Sequence, residues 1–171
     1  MNQHIDALAI LSGAQARAAL ESANMRSLTT WLSSRGPEIA QALDQRREAI
    51  CSAVNHRLTS TFAGLLADIE SRHGGQYHQV TFSRTPRRLH QLLLVALALQ
   101  APSVLQREIE WSVRLLLRHG VTQHHIQSMV RWYFEAVRRE VALDEHDRDN
   151  LAALEEAILA TVYAIGDETE P

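Results

Sequence analysis

Cysteine is almost missing from this sequence, and sites that need several cysteines are excluded with it. Cys51 is the only one, so the chain cannot form an internal disulfide or a zinc or iron–sulfur site with several cysteine ligands. A single cysteine suits a reducing compartment, and we therefore expect a cytoplasmic protein.

Long hydrophobic runs and an excess of positive charge are also missing. No uninterrupted apolar run approaches the ~18 residues of a membrane span, and the N-terminus lacks the basic stretch and apolar core of a signal peptide. The formal net charge is −3, so no global positive field attracts nucleic acid or an anionic membrane. We expect neither as a partner.

Enzyme signatures are absent too. The sequence has no glycine-rich phosphate loop, no nucleophile elbow, no metalloprotease histidine pair and no convincing acid–base pair. We therefore predict a protein that is not an enzyme and has no catalytic residues.

The few glycines and prolines separate stretches with helical periodicity. There are seven Gly and four Pro, and they predict one all-α domain of about six to eight helices. We place a helical extension at 1–36, closed by Gly36, the main domain at 37–166 and a disordered acidic tail at 167–171.

Within the main domain, caps and breakers predict the individual elements. Residues 76–84 alternate briefly and are interpreted as an ordered loop, since no second strand exists to pair with them. Thr85 and Pro86 predict a helix start, and the apolar stretch 89–99 after it predicts a helix surrounded by other helices. Before this helix, residues 37–73 are predicted to form one helix or two nearly continuous ones. After it, a capping box from Ser103 to Gln106 opens a helix over 103–119, and Thr122 caps a helix over 122–141. The last helix starts at Asp144 or Asp147 and ends near Gly166.

Two consecutive helices carry apolar residues outside their main stripes. Val104, Trp111 and Leu115 form a second stripe on one, and Trp132 lies about 140° from the centre of the stripe on the next. Because aromatic side chains are enriched in interfaces, Trp111, Leu115 and Trp132 predict a homodimer interface. In the alternative, other helices of the same chain cover them.

His90 is the most informative candidate for a ligand site. It shares a helical face with Leu93, Leu94 and Leu97, an apolar region in which a neutral imidazole could bind a heme iron. A hydrogen-bonded core histidine is the alternative.

Two further clusters carry polar chemistry. Around the turn at Gly120, three histidines could bind zinc, copper or nickel, or simply face solvent: His119, His124 and His125. The same turn allows a helix-turn-helix interpretation and hence a DNA-binding regulator, but no basic stripe accompanies it.

At the predicted helix start near Pro86, three arginines could bind an anion or pair with acidic residues: Arg84, Arg87 and Arg88.

From Thr85 onward the sequence resembles the sensor globins, which include heme-based globin-coupled sensors and heme-free relatives in stress signalling. The resemblance lies in the Leu89-His-Gln-Leu92 context, then helices 103–119 and 122–141 and a final amphipathic helix. These are similar to globin helices F, G and H and the segment that leads to an output module. The resemblance implies a globin-like helical bundle with His90 as proximal heme ligand. Phycobilisome proteins share this fold with extra N-terminal helices, but Cys51 lies far from the region where they attach a bilin.

Together these features predict a non-catalytic sensory or regulatory domain. It would act through homodimer contacts or a signalling protein partner, with a pocket beside His90 for heme or another apolar ligand. A ligand-free helical interaction module is the alternative, and a DNA-binding regulator is the third hypothesis. No metal site beyond heme is expected.

Overall fold

Helices form every regular element of the computed structural model, which describes residues 27–73 and 75–169, and no strand occurs in these ranges. The predicted all-α class is confirmed. The helices are α1 (27–45), α2 (Arg47–Thr61), α3 (Ala63–His73), α4 (Gly75–Ala98), α5 (Pro102–Arg118), α6 (Gln123–Glu140) and α7 (Glu145–Thr169).

Helix α6 has a fully buried face. It packs against α2 and α7, and its Tyr133, Phe134 and Val137 are completely buried.

The sequence predicted that α4 would be surrounded by other helices. Helix α4 packs against α2, α3 and α5 and also contacts α1 at Gly36 and α6 through His90. It is not covered on all sides, because Val95 near its C-terminal end is 41% exposed and Leu99 just after that end is 69% exposed.

The predicted helix break at Gly36 and Pro37 is also wrong, because α1 continues through both residues. Pro37 has no N–H to donate to the carbonyl of Ser33, and the side chain of Gln100 donates to that oxygen at 3.5 Å. Gly36 allows a close approach to α4, since a Cβ atom there would lie 2.5 Å from the carbonyl oxygen of Leu97. The proposed boundary between 36 and 37 therefore falls inside α1, at its contact with the end of α4.

The predicted loop at 76–84 and the helix start after it are wrong as well. Helix α4 begins at Gly75 and contains Pro86 in its interior. Tyr77 and Val80 lie three residues apart, a spacing that fits a helix as well as a loop, and short apolar segments are ambiguous for this reason. Thr85 therefore caps no helix.

Two other predicted helix starts differ from the structure. The segment 37–73, predicted as one helix or two nearly continuous ones, is divided among α1, α2 and α3, with breaks at Arg46 and Phe62. Helix α5 begins with Pro102 after Ala101, without a side-chain cap, so the capping box at Ser103 is not formed. Proline at the first helical position already lacks the N–H that a cap would satisfy.

The end of α5 and the starts of α6 and α7 agree with the sequence signals. Gly120 ends α5 with a φ of +84°, and Thr122 precedes α6, where its N–H donates to Nδ1 of His125 at 3.1 Å. Asp144 opens α7, since its Oδ1 accepts from the N–H of Asp147 at 2.7 Å. Helix α7 continues to Thr169, so the predicted disordered tail is wrong for 167–169.

Residues 1–26, 74, 170 and 171 lie outside the described residues, and with them most of the predicted N-terminal extension. Over the helices that are described, none combines the length and apolarity that a membrane span requires.

Candidate functional site: an apolar pocket between helices α4 to α7

An apolar pocket of about 290 Å³ lies between α4, α5, α6 and α7. Its walls are mainly aliphatic side chains from all four helices. They include Leu89 and Leu92 of α4, Ile109 and Val113 of α5, Ile126, Met129 and Val130 of α6, and Ile158 and Val162 of α7.

The pocket opens to solvent beside α5. Trp111 and Leu115 line it and are 56% and 38% exposed. The second apolar stripe of α5 thus faces the pocket and solvent, whereas its main stripe, Leu105, Ile109 and Val113, is buried. The sequence pattern identified the stripe but not the pocket, because a pocket depends on how four helices are spaced.

Arginines are the only charged residues among those that line the pocket. Arg84 and Arg88 lie one helical turn apart on α4 and line its opening. The Arg88 guanidinium lies 5.3 Å from the centre of the Trp111 ring and donates to Glu108 at 2.8 Å. The opening therefore combines an aromatic surface with positive charge.

Ser112 supplies a hydroxyl group in the wall of the pocket. Its oxygen is buried and has no hydrogen-bond partner among the described residues. An unsatisfied buried hydroxyl costs roughly 1–3 kcal/mol. A bound molecule or water that reached it would recover part of that cost.

His90 lies outside this pocket, in the core between α4 and α6. Its side chain is 0% exposed, and Nδ1 forms a hydrogen bond of 2.9 Å with the hydroxyl of Tyr133. Burial lowers the pKa of His90 and raises the pKa of Tyr133 well above its usual range, so both side chains are neutral at neutral pH. This geometry matches the alternative of a hydrogen-bonded core histidine.

The packing around His90 does not fit a heme in this conformation. Nε2 of His90 has no partner among the described residues, as an iron ligand would require. However, His90, Leu93 and Leu97 are each 0% exposed, so side chains occupy the space that a porphyrin beside the imidazole would need. Leu94 is half-buried, and none of these four residues lines the apolar pocket.

Trp132, the third predicted interface residue, is covered within the chain. It is half-buried and stacks on Phe62 with ring centres 5.3 Å apart, while the Arg57 guanidinium lies 4.7 Å from its ring centre. The bend at Phe62 between α2 and α3 places this ring against α6. For Trp132 the structure therefore matches the alternative, in which other helices of the same chain cover the side chain.

The histidines near Gly120 do not converge on one point. His125 accepts from the N–H of Thr122 and contacts the ring of Phe62 edge-on at 4.4 Å. Within the described ranges, no group of three or more His, Cys, Asp or Glu side chains could hold a metal ion.

The helix start that was expected to help bind an anion near Pro86 is wrong, because α4 does not start there. Thr85 and Pro86 lie inside α4, so no free N–H groups of a helix terminus are available. Arg87 donates to Glu48 at 2.9 Å, and Arg88 donates to Glu108. These two arginines form the ion pairs that were the alternative interpretation.

A buried polar cluster that the sequence did not reveal joins α1 to α7. Asp147 is 1% exposed; its Oδ1 accepts from Nε1 of Trp31 at 2.8 Å, and its Oδ2 accepts from Nη2 of Arg35 at 2.8 Å. Hydrogen bonding to Arg35 is the main reason that the pKa of Asp147 is lowered. The partners lie more than a hundred residues apart in the chain, so no local sequence pattern could indicate them.

Searches among known proteins add no relative to this geometry: no family model, no curated protein and no solved structure matches the chain.

Proposed function

We propose that this protein is a non-catalytic regulatory domain that binds a small apolar ligand in the pocket between α4 and α7. The observation that carries the proposal is the pocket itself, which has apolar walls from four helices and the exposed side chain of Trp111 on its solvent side. Small-molecule sites are typically apolar concavities with a few polar groups that orient the ligand. Here those groups are the two arginines at the opening and the hydroxyl of Ser112.

The position of the opening links ligand binding to protein contacts. Trp111 and Leu115 belong both to the pocket and to the exposed surface of α5. A second copy or a signalling partner that docks on α5 covers the opening, and a bound ligand changes the surface that the partner meets. Regulation by this route needs no catalytic group.

Binding can be tested with 1-decanol as an uncharged probe and the methyl signal of Met129 as the reporter. Met129 lines the pocket, so its ¹³C-methyl NMR signal should shift and saturate with a Kd of about 10–100 µM. Leu92→Phe fills the pocket and should abolish the shift. Leu94→Phe is the matched control, because Leu94 is a half-buried leucine of the same helix outside the pocket.

A Met129 signal that does not respond to decanol contradicts the proposal, as does an equal response in the Leu92→Phe variant. Unchanged melting temperatures of the two variants would show that the fold is retained. Heme, the other ligand expected from the sequence, is tested by adding it to the same protein. A Soret band that His90→Ala removes would favour heme over the pocket ligand.

The second candidate function is a ligand-free interaction module, favoured by the exposure of Trp111 and Leu115. It predicts contact through α5 without any response of Met129 to small molecules. The NMR experiment therefore separates the two functions.

A further inference from the structure

We infer that the ligand of this pocket is a medium-chain monocarboxylate, with its alkyl chain between α4 and α7 and its carboxylate on Arg84 and Arg88. The inference rests on the proposed function and adds to it the chemical class of the ligand. Three observations carry it: the sign of the charge at the opening, the arrangement of the two arginines and the size of the pocket.

The charge of the lining residues selects an anion. No aspartate or glutamate lines the pocket, whereas Arg84 and Arg88 both do. A ligand with a cationic head would meet two like charges, and an uncharged ligand would leave both guanidinium groups without a counterion from the ligand. A carboxylate at the opening would neutralise positive charge of the two arginines that line the pocket.

The two arginines are spaced to hold one carboxylate together. Residues four apart on a helix have Cβ atoms ~5–6 Å from each other, so long side chains can converge on one group. Guanidinium groups bind carboxylates through two parallel hydrogen bonds, which an ammonium group cannot do. The structure gives Arg84 no ion pair with any described residue.

Arg88 can exchange its present partner at little cost. Its ion pair with Glu108 is largely exposed, with side-chain accessibilities of 51% and 42%, and exposed pairs contribute little to stability. Glu108 itself does not line the pocket. The contact of Arg88 with the Trp111 ring keeps the guanidinium beside the opening when Glu108 is displaced.

The volume sets the length of the ligand. An apolar cavity of ~150 Å³ holds benzene, which has six heavy atoms. A pocket of about 290 Å³ therefore suits a ligand of roughly twelve heavy atoms by the same ratio. An unbranched carboxylate of about ten carbons has this size, and its chain matches the aliphatic walls.

The inference is tested with three ten-carbon probes that differ only in head group: decanoate, 1-decanol and decylammonium. Binding to the full chain at neutral pH is measured from the Met129 methyl signal. We expect decanoate to bind about tenfold more tightly than decanol, and decylammonium to bind more weakly than either, since charge-assisted hydrogen bonds are the stronger ones.

Variants at the opening identify the anchor. Arg84→Gln should weaken decanoate about fivefold, and the double variant Arg84→Gln with Arg88→Gln should remove the preference over decanol. Decanol binding should stay within about twofold in both variants, which shows that the pocket is intact. Arg131→Gln is the control, because Arg131 is an exposed arginine of α6 that does not line the pocket.

Equal binding of decanoate and decanol overturns the inference and leaves the proposed function in place. A preference for decanoate that survives the double variant also overturns it, since the carboxylate would then lie elsewhere. If none of the three probes moves the Met129 signal, the proposed function fails together with the inference.

Discussion

At the scale of single residues, Asp147 shows how a polar group is kept in an apolar core. Its carboxylate is 1% exposed and accepts hydrogen bonds from Trp31 and Arg35. A buried carboxylate without such partners would be protonated rather than charged. The cluster joins the first described helix to the last one, and Asp147 is the member that binds both of the others.

We predict that Asp147→Asn lowers the free energy of unfolding by about 1–3 kcal/mol at pH 7, because the buried carboxylate that binds both Arg35 and Trp31 is lost. Chemical denaturation measures this change. Asp68→Asn is the control. Asp68 pairs with Arg72 on the surface with 53% of its side chain exposed, and its loss should cost under about 0.5 kcal/mol.

The lowered pKa of Asp147 also predicts a pH dependence. A carboxyl group whose pKa is lower in the folded state stabilises the fold above its unfolded pKa of about 3.9 and loses that contribution as pH falls through the folded pKa. The advantage of the wild-type chain over Asp147→Asn should therefore shrink below about pH 4. A difference that stays constant down to pH 2 would contradict this account.

His90 illustrates the limit of sequence reasoning at the same scale. The sequence correctly indicated a histidine within an apolar region, because neighbouring positions on its face are leucines. Whether such a histidine binds a ligand depends on what faces it, and Tyr133 faces it across 43 positions of sequence. Helical periodicity describes one helix and carries no information about this contact.

At the scale of elements, a glycine can end a helix or allow two helices to approach closely, and the sequence did not distinguish these two roles. At Gly120 the backbone adopts a positive φ, and the predicted helix end is confirmed. At Gly36 the helix continues, and the missing side chain serves the contact with α4. The two glycines look alike in sequence. Packing between helices can outweigh the low helix propensity of glycine, and this packing is not visible in the local sequence.

We predict that Gly36→Ala destabilises the fold by about 1–3 kcal/mol, as overpacked contacts do. The new Cβ atom would lie 2.5 Å from a backbone carbonyl oxygen, which can move only if α1 or α4 moves. Thermal and chemical unfolding measure the effect.

Gly64→Ala is the matched control for this substitution. Gly64 is helical and exposed, and nothing lies within 4 Å of an added Cβ atom there. Alanine should therefore stabilise the chain by roughly 0.4–1 kcal/mol. If both variants changed stability in the same direction, the close approach of α1 to α4 would not be the cause.

At the scale of the whole molecule, the helical class could be predicted from composition and periodicity, while the arrangement could not. The sequence placed α4 at the centre because its residues are apolar on nearly all sides. In the structure α4 contacts several helices but is exposed at Val95, whereas α6 buries the large side chains of Tyr133 and Phe134 completely. Some of the apolar side chains of α4, Leu89 and Leu92, line the pocket.

We expect the chain to form a homodimer through the exposed surface of α5. The double variant Trp111→Ala with Leu115→Ala should then weaken dimerisation at least about tenfold, since aromatic residues contribute strongly to interfaces. Sedimentation equilibrium measures the association. Tyr163→Ala is the control, because Tyr163 is 45% exposed on α7 and does not line the pocket.

Trp111 and Leu115 lie both in the expected dimer interface and beside the pocket. Saturating decanol should therefore shift the monomer–dimer equilibrium of the wild-type chain and leave that of Leu92→Phe unchanged. A wild-type chain that remains monomeric at about 100 µM or above, far over the Kd of ordinary interfaces, excludes the homodimer. Docking of α5 on a different protein would then remain as the proposed contact.

The three tryptophans lie in three different surroundings, and this gives the molecule a built-in optical reporter. Trp31 is 1% exposed, Trp111 is 56% exposed, and Trp132 is stacked on Phe62. A water-soluble quencher such as iodide therefore reaches mainly Trp111, at the opening of the pocket. The fraction of emission that iodide removes therefore reports mainly on that opening, so occupancy can be followed in the unlabelled protein.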